Sequence, residues 1–410
     1  MTGGSRYVLV TGGSFGDTLP FVGLAKALAA AGAEVLLAAG PEVETLARAE
    51  RLPQHTLAAA RVSDLSLDPR PGRRMATFLG LTLRRVVEPL DQTVTQLAPV
   101  LTDRDIVVAH PIQLAAPILA RARGLPCVTV SPATWLFRNA ERMPLYLPRR
   151  SLGTAANRLA WWLFERRLDR RFLPAVRAVW QRCGLPGEPS SFLDLNRSAQ
   201  RTLLLTSPLF LDSRRLAPAV VATGLASWDT TRMWRNRRPL ERFLDDGEPP
   251  LVFRAPPHLP TGGFRAAAAE VCRRLGLRSV VIDYSADRVG ADGGCYVDRY
   301  IPLSVIAPRA RAAVHYGGLG TSTAFAAAGV PAVVTPSIVD QFESAEVVAA
   351  HGAGVRLDWH RLSARRLESA LVRALTLADS ASALGTRLRA EDGYRVAAGE
   401  LLAMAAGAAR

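Results

Sequence analysis

Residues 297–357 read VDRYIPLSVIAPRARAAVHYGGLGTSTAFAAAGVPAVVTPSIVDQFESAEVVAAHGAGVRL. The apolar run ending at His315 and Tyr316 predicts a buried strand, and Gly317, Gly318 and Gly320 predict a turn that opens a helix. A second apolar run, from Ala332, predicts the next strand, and the pair Asp340 and Gln341 leads into a further helix. A glycine turn of this kind suits a diphosphate, because backbone N–H groups reach the phosphate oxygens where no Cβ intervenes. The helix start adds partial positive charge, and His315, Thr321 and Ser322 are candidate side-chain donors.

Working outward, short apolar runs alternate with helical segments along the whole chain. They begin at Tyr7, Glu34, Asp105, Cys127 and Thr202, and a second set begins at Leu251, Ser279, Ala312 and Ala332. Such alternation predicts parallel sheets covered on both faces, so the fold class is α/β with two Rossmann-like doubly wound units. Between the sets, ATGLASWDTTRMWRNRRPLERFLDDGEPP from Ala222 is rich in turn formers and arginine. The expected organisation is an acceptor-binding domain over 1–221, a linker over 222–245, a nucleotide-binding domain over 246–395, and a terminal helix over 396–410 that packs back on the first domain.

The elements His315 to Thr321, Gly329 to Pro331 and Pro336 to Gln341 resemble, in order and spacing, the donor-sugar signature of family-1 glycosyltransferases, in which HHGGxGT is followed by GVP and P-x-x-x-D-Q. The bacterial antibiotic and sterol type is the nearest in pattern. The resemblance implies two Rossmann-like units facing across a cleft, the GT-B arrangement, with ligands outside the carboxyl ends of the strands. It further implies an inverting transfer from a TDP- or UDP-sugar to a small apolar acceptor. The nucleotide sugar would be a co-substrate, with no resident cofactor and no metal. His315, Gly317, Gly318, Gly320 and Thr321 would hold the diphosphate, and Asp340 and Gln341 the hexose hydroxyls.

The first strand runs into TGGSFGDTLPFVGLAKAL, from Thr11. Gly12, Gly13 and Gly16 do not spell G-x-G-x-x-G, and the following strand, EVLLAAG, lacks the acidic residue that would hold a ribose, which argues against NAD. By resemblance this is the acceptor-side loop, and Asp17 stands where such proteins carry a catalytic residue. An Asp at a helix start also caps it. Relatives end the fourth strand in V-x-D-P, where this chain has Val108, Ala109, His110 and Pro111, so the two residue types are exchanged. Asp17 is expected as the base, with His110 as its partner or as the base itself. Chemistry alone points the other way, because an ordinary histidine titrates near neutrality and a carboxylate does not. Phe15, Trp135 and Phe137 are the expected acceptor contacts, among the variable loops 70–85 and 134–146.

Two departures from the family pattern stand out. The loop that usually reads GS(M/R) is replaced by RAPPHLP from Arg254, so that Arg254 or His258 would have to supply donor contacts, and the second histidine of HHGG is Tyr316. A non-catalytic homologue that serves as a binding or activating partner is therefore the alternative reading. A sugar-nucleotide epimerase would need an acidic cluster that the sequence does not offer beyond Asp340.

At 410 residues the chain is long enough for two or three cores, and 49% hydrophobic with 21% charged residues is ordinary for a globular protein. A net charge of +15 suggests nucleic acid, yet Lys26 is the only lysine and the arginines are scattered without a basic tail; nucleic acid is not an expected partner. Cys127, Cys183, Cys272 and Cys295 lack C-x-x-C spacing and read as reduced thiols. No secretory segment or long apolar run is legible, so a cytoplasmic location is expected. Asp103 and Asp105 spell a D-x-D, but at a strand entrance, away from the diphosphate signature. Residues 149–182, rich in arginine and aromatics, predict an amphipathic helix capable of weak contact with an anionic membrane, with Trp161, Trp162 and Phe164 otherwise in the core or acceptor pocket. Sequence leaves the acceptor, the sugar and the oligomeric state open.

Overall fold

A computed structural model of the chain describes residues 5–57, 80, 83–133, 144, 153–196, 201–211, 219–232, 234–338 and 340–408. The chain divides into two compact units, one formed by the residues up to Ala226 together with those from Asp392 onward, the other by Ser227–Glu391.

The first unit carries strands β1 (Arg6–Val10), β2 (Glu34–Ala39), β3 (Gln54–Thr56), β4 (Asp105–Ala109), β5 (Cys127–Ser131), β6 (Arg201–Leu204) and β7 (Val220–Ala222). All pair in parallel, in the order β3-β2-β1-β4-β5-β6-β7. In β1, Val8 and Val10 face a core that includes Leu97, Val107, Ala116 and Leu119. Tyr7 lies on the opposite face, and its hydroxyl donates to the Leu401 carbonyl. Both faces are thus buried, as continuous apolar runs require. The helix Gly393–Ala408 belongs to this unit and packs on the helix Phe15–Ala30, where the Tyr394 ring occupies the space a side chain at Gly23 would need.

The second unit carries β8 (Leu251–Arg254), β9 (Ser279–Ile282), β10 (Gly290–Asp292), β11 (Cys295–Asp298), β12 (Ala312–His315), β13 (Ala332–Val334) and β14 (Gly354–Arg356). Their order is β10-β11-β9-β8-β12-β13-β14, parallel except for the β10–β11 hairpin. The passage read as a linker over 222–245 begins inside β7 and ends in the helix Arg237–Asp245, whose Leu240, Phe243 and Leu244 are buried. Its apolar residues fall on one face of only nine residues, too few to stand out against the arginines around them.

Each sheet has one place where the strand order reverses, between β1 and β4 in the first unit and between β8 and β12 in the second. Loops leaving neighbouring strands in opposite directions open a crevice there, at the carboxyl ends of the strands. The two groups of candidate residues sit at these two places.

The long helix Thr154–Arg182 buries Trp161, Leu168, Phe172, Val176 and Trp180, which recur at helical spacing. Its other face exposes Leu159, Trp162 and Leu163 beside Arg158, Arg166, Arg167 and Arg170. No helix among the described residues is long and apolar enough to cross a membrane. All four cysteines are free. Of the D-x-D, Asp105 is buried and spent on Arg6, whose Nε and Nη2 donate to its two oxygens at 2.8 and 2.7 Å.

Candidate functional site

In the first unit, β1 ends at Val10 and the chain passes through Thr11, Gly12, Gly13 and Ser14 into the helix Phe15–Ala30. Gly13 has φ +103°, a conformation that favours glycine, and a Cβ there would lie 2.7 Å from Asp17 Oδ2. Oδ2 of Asp17 accepts from the Ser14 N–H and from Ser14 Oγ, both at 2.7 Å. Asp17 therefore braces the helix start, as its position suggested, but with only one of its two oxygens. Oδ1 is the oxygen that faces His110, with Nε2 at 3.7 Å.

His110 follows β4, and its N–H donates to the Val10 carbonyl at 2.9 Å, which ties the two strand ends together. Its ring is buried and lies against Phe21, with centroids 5.6 Å apart. Nδ1 accepts the Ile112 N–H at 3.2 Å, so the proton of the neutral ring belongs on Nε2, toward Asp17. Burial pushes the imidazole down to about 4, against the pull of the Asp17 charge. Burial thus sets this ring apart from an ordinary histidine, which titrates near neutrality. Arg85 is held near the same carboxylate, and its charge is disfavoured by burial but favoured by Asp17 and Glu42.

In the second unit, β12 delivers His315 to the glycine turn. Gly317 has φ +90°, and a Cβ there would stand 2.8 Å from the Gln341 carbonyl, so turn and neighbouring helix approach as closely as a bare backbone allows. His315 is fully buried and stacks on Phe325 at 5.6 Å with planes 9° apart. Its Nδ1 accepts the Gly317 N–H at 3.2 Å, which leaves the proton on Nε2. Burial, reinforced by the Arg254 charge, pushes this ring down to about 3. The helix Leu319–Ala327 starts at Gly318 with no side-chain cap, and a Cβ at Gly320 would meet nothing within 4 Å. No side chain caps this helix start, so its first-turn N–H groups have no intrahelical acceptor. Nε2 of His315, Oγ of Ser322 and Nε of Arg254, which ends the neighbouring strand, are all buried without a hydrogen-bond partner. Buried polar atoms left unsatisfied in this way call for a partner, which a polar ligand would supply.

Asp340 stands at the N-cap position of the helix Gln341–Ala350, where its side chain makes no capping hydrogen bond. Gln341 differs from expectation. Its Oε1 accepts from the Ser337 N–H and Oγ, both at 3.0 Å, and from the Ile338 N–H at 3.3 Å. The amide oxygen is spent holding the turn, so only its NH₂ is left to meet a hexose. His258, from the proline-rich loop, reaches Ser337 Oγ through Nε2 at 3.1 Å and lies edge-on to Tyr316.

Phe15 is exposed, at 44%, two residues before Asp17 in the same helix; Trp135 and Phe137 lie outside the described residues. Thr321 is buried in the first turn after Gly320. Sequence reasoning passed over Ser14, Ser337 and Tyr284. Ser14 was discoverable from the S-x-x-D spacing of a capping box. Tyr284 lies thirty residues from Arg254, with no local signal to join them.

Residues 291–400 match the family described as Erythromycin biosynthesis protein CIII-like, C-terminal domain. Over 97% of both chains, the sequence is 28% identical to the glycosyltransferase GtfC of Amycolatopsis orientalis. In three dimensions it is similar to the glycotransferase of kitacinnamycin, with TM-score 0.72 and 20% identity over 98% of this chain and 99% of that one. It is also similar to the glycosyltransferase SsfS6 of Streptomyces sp. SF2575, solved with thymidine diphosphate, with TM-score 0.61 and 19% identity over 96% and 98% of the two chains. At these identities the structural likenesses establish the shared fold.

Proposed function

We propose that the chain is a glycosyltransferase of the family-1 antibiotic type, and that it moves a hexose from a nucleoside diphosphate sugar to a small, largely apolar acceptor with inversion at the anomeric carbon. The observation that carries this reading is the glycine turn of the second unit, where an uncapped helix start lies between His315 Nε2 and Ser322 Oγ in the chain, both buried without protein hydrogen-bond partners. The thymidine diphosphate bound by the similar SsfS6 favours TDP over UDP here.

In the reaction, the acceptor oxygen forms a bond to the anomeric carbon as the bond from that carbon to the diphosphate oxygen breaks. The diphosphate leaves with the electron pair, and the acceptor proton passes to Asp17. Oδ1 of Asp17 has the lone pair for this, because 3.7 Å to His110 Nε2 is too long for a direct hydrogen bond, while Oδ2 is held by Ser14. His110 is the positioning group. Its buried neutral ring keeps an N–H toward Asp17, which stabilises the carboxylate without competing for the proton. A single displacement assisted by one base inverts the carbon, and such assistance contributes roughly 10² to 10⁴ in rate. Charge growing on the diphosphate meets prearranged donors, so the reaction proceeds without a metal ion. Asp340 takes hexose hydroxyls, and Gln341 holds the turn that presents it.

Calorimetric titration with TDP and UDP, in EDTA and in magnesium, tests the donor site. Micromolar binding in EDTA supports the reading, and binding of neither nucleotide overturns it. The alternative, a silent partner protein, is favoured only by the replaced GS loop. It predicts donor binding with neither hydrolysis nor transfer.

A further inference from the structure

Arg254 is the last residue of β8, the central strand of the second sheet, and in register it stands between His315 of β12 and Ile282 of β9. It thus flanks the same reversal of strand order as the glycine turn. It is only 9% exposed. Its Nη2 donates to the Tyr284 hydroxyl at 3.2 Å, its guanidinium carbon lies 5.8 Å from that ring's centre, and its Nε is buried without a partner. Among the described residues no carboxylate pairs with it. The nearby buried acids are committed elsewhere: Asp283 accepts from Thr261 and Ser285 and pairs with Arg265, and Asp298 accepts from Asn236.

A buried guanidinium cannot shed its proton, and tyrosine hydroxyls, neutral at pH 7, do not balance its charge. Keeping such a cation unpaired is costly unless an anion completes the site. We propose that Arg254 is the counter-charge of the donor site, paired with the diphosphate of the nucleotide sugar and taking over from the hydroxyl-bearing loop that this chain lacks. The inference rests on the donor-site reading above. It divides the work in that site: His315 is a neutral N–H donor, the helix start supplies partial charge, and Arg254 supplies the one full positive charge. At the strand end its guanidinium is held by the hydroxyls of Tyr284 and Tyr316, while Nε is left without a protein partner, the kind of donor a phosphate oxygen satisfies. The site is therefore built at the expense of the free protein, whose stability carries the unpaired charge until donor binds.

The test measures two quantities on the same proteins, affinity for TDP and UDP by calorimetry and melting temperature without ligand. In Arg254→Met, the affinity for the favoured diphosphate falls at least thirtyfold, while the ligand-free melting temperature holds or rises. In Arg254→Lys, which keeps the charge but not the fork, the loss is smaller, about fivefold to tenfold. Tyr284→Phe, which releases the fork, also weakens binding. Arg254→Met that binds within twofold of the unmodified protein overturns the proposal and leaves the donor reading standing. An unmodified protein that binds neither nucleotide overturns both. Should Arg254→Met fail to fold, Lys decides: unchanged affinity in Arg254→Lys and Tyr284→Phe together overturns it.

Discussion

Asp17, in the first turn of its helix, and His110, just past β4, are ninety-three residues apart in the chain, yet Oδ1 of one stands 3.7 Å from Nε2 of the other, and each is anchored by a further contact, Asp17 by Ser14 and His110 by the Ile112 N–H. These anchors underlie the proposed division of roles. A histidine whose Nδ1 accepts a backbone N–H, and whose burial disfavours the charged ring, keeps its one proton on Nε2, on the side of Asp17.

Asp17→Asn therefore loses about 10² to 10⁴ in kcat while TDP affinity stays within twofold. Loss of Ser14 contacts is limited, because the Asn side-chain oxygen can still accept. His110→Phe, which fills the same space, loses less, on the order of tenfold. Single-turnover rates on the two variants check the order; a greater loss in His110→Phe would reverse the assignment.

Acid should weaken the fold in a defined window. The two rings stay neutral in the folded protein down to about 4 for His110 and about 3 for His315. Unfolded, each takes up a proton below about 6.5. The unfolded chain then binds more protons, so stability rises with pH and is lost as pH falls from about 6.5 toward 4, by up to about 1.4 kcal/mol per pH unit for each histidine. Urea denaturation at pH 7, 5.5 and 4.5 measures the slope, and His110→Phe should remove its own share.

Gly317→Ala places a Cβ against the Gln341 carbonyl in a backbone conformation that alanine resists. The cost is expected to be about 1–3 kcal/mol of stability, with TDP affinity lost more than tenfold. Gly320→Ala meets nothing within the protein. Its stability should be unchanged, so that any loss of TDP affinity in this second variant reports space needed by the ligand.

Gln341→Ala removes the acceptor of three hydrogen bonds, two from Ser337 and one from the Ile338 N–H. About 1–3 kcal/mol of stability should go with it. Asp340→Asn keeps the turn and should raise KM for the donor sugar with little effect on TDP affinity, which separates hexose contact from turn building.

The exposed face of the helix Thr154–Arg182 combines Leu159, Trp162 and Leu163 with four arginines. Flotation with vesicles rich in anionic lipid should carry the protein at low salt and release it at high salt. The double change Trp162→Glu and Leu163→Glu should abolish flotation with the melting temperature unchanged, since neither side chain is in the core.

Much of this molecule was legible along the chain. Apolar runs bounded by turn residues placed nine of the strands, because a strand buried on both faces has no room for polar residues. The glycines of 317–320 marked the donor turn, because no other residue takes φ +90° against a neighbouring backbone. The short edge strands β3, β7, β10 and β14 carry little apolar signal and were invisible. What only the tertiary structure decided is electrostatic. Folding buried the His110 ring so that its charged form is disfavoured, committed Asp105 to Arg6 and the Gln341 oxygen to its own turn, and left Arg254 without a carboxylate among the described residues. Composition and spacing specify which groups a chain possesses; how far each is removed from water, and beside what, is settled only when distant strands meet, and that sets protonation and partnership.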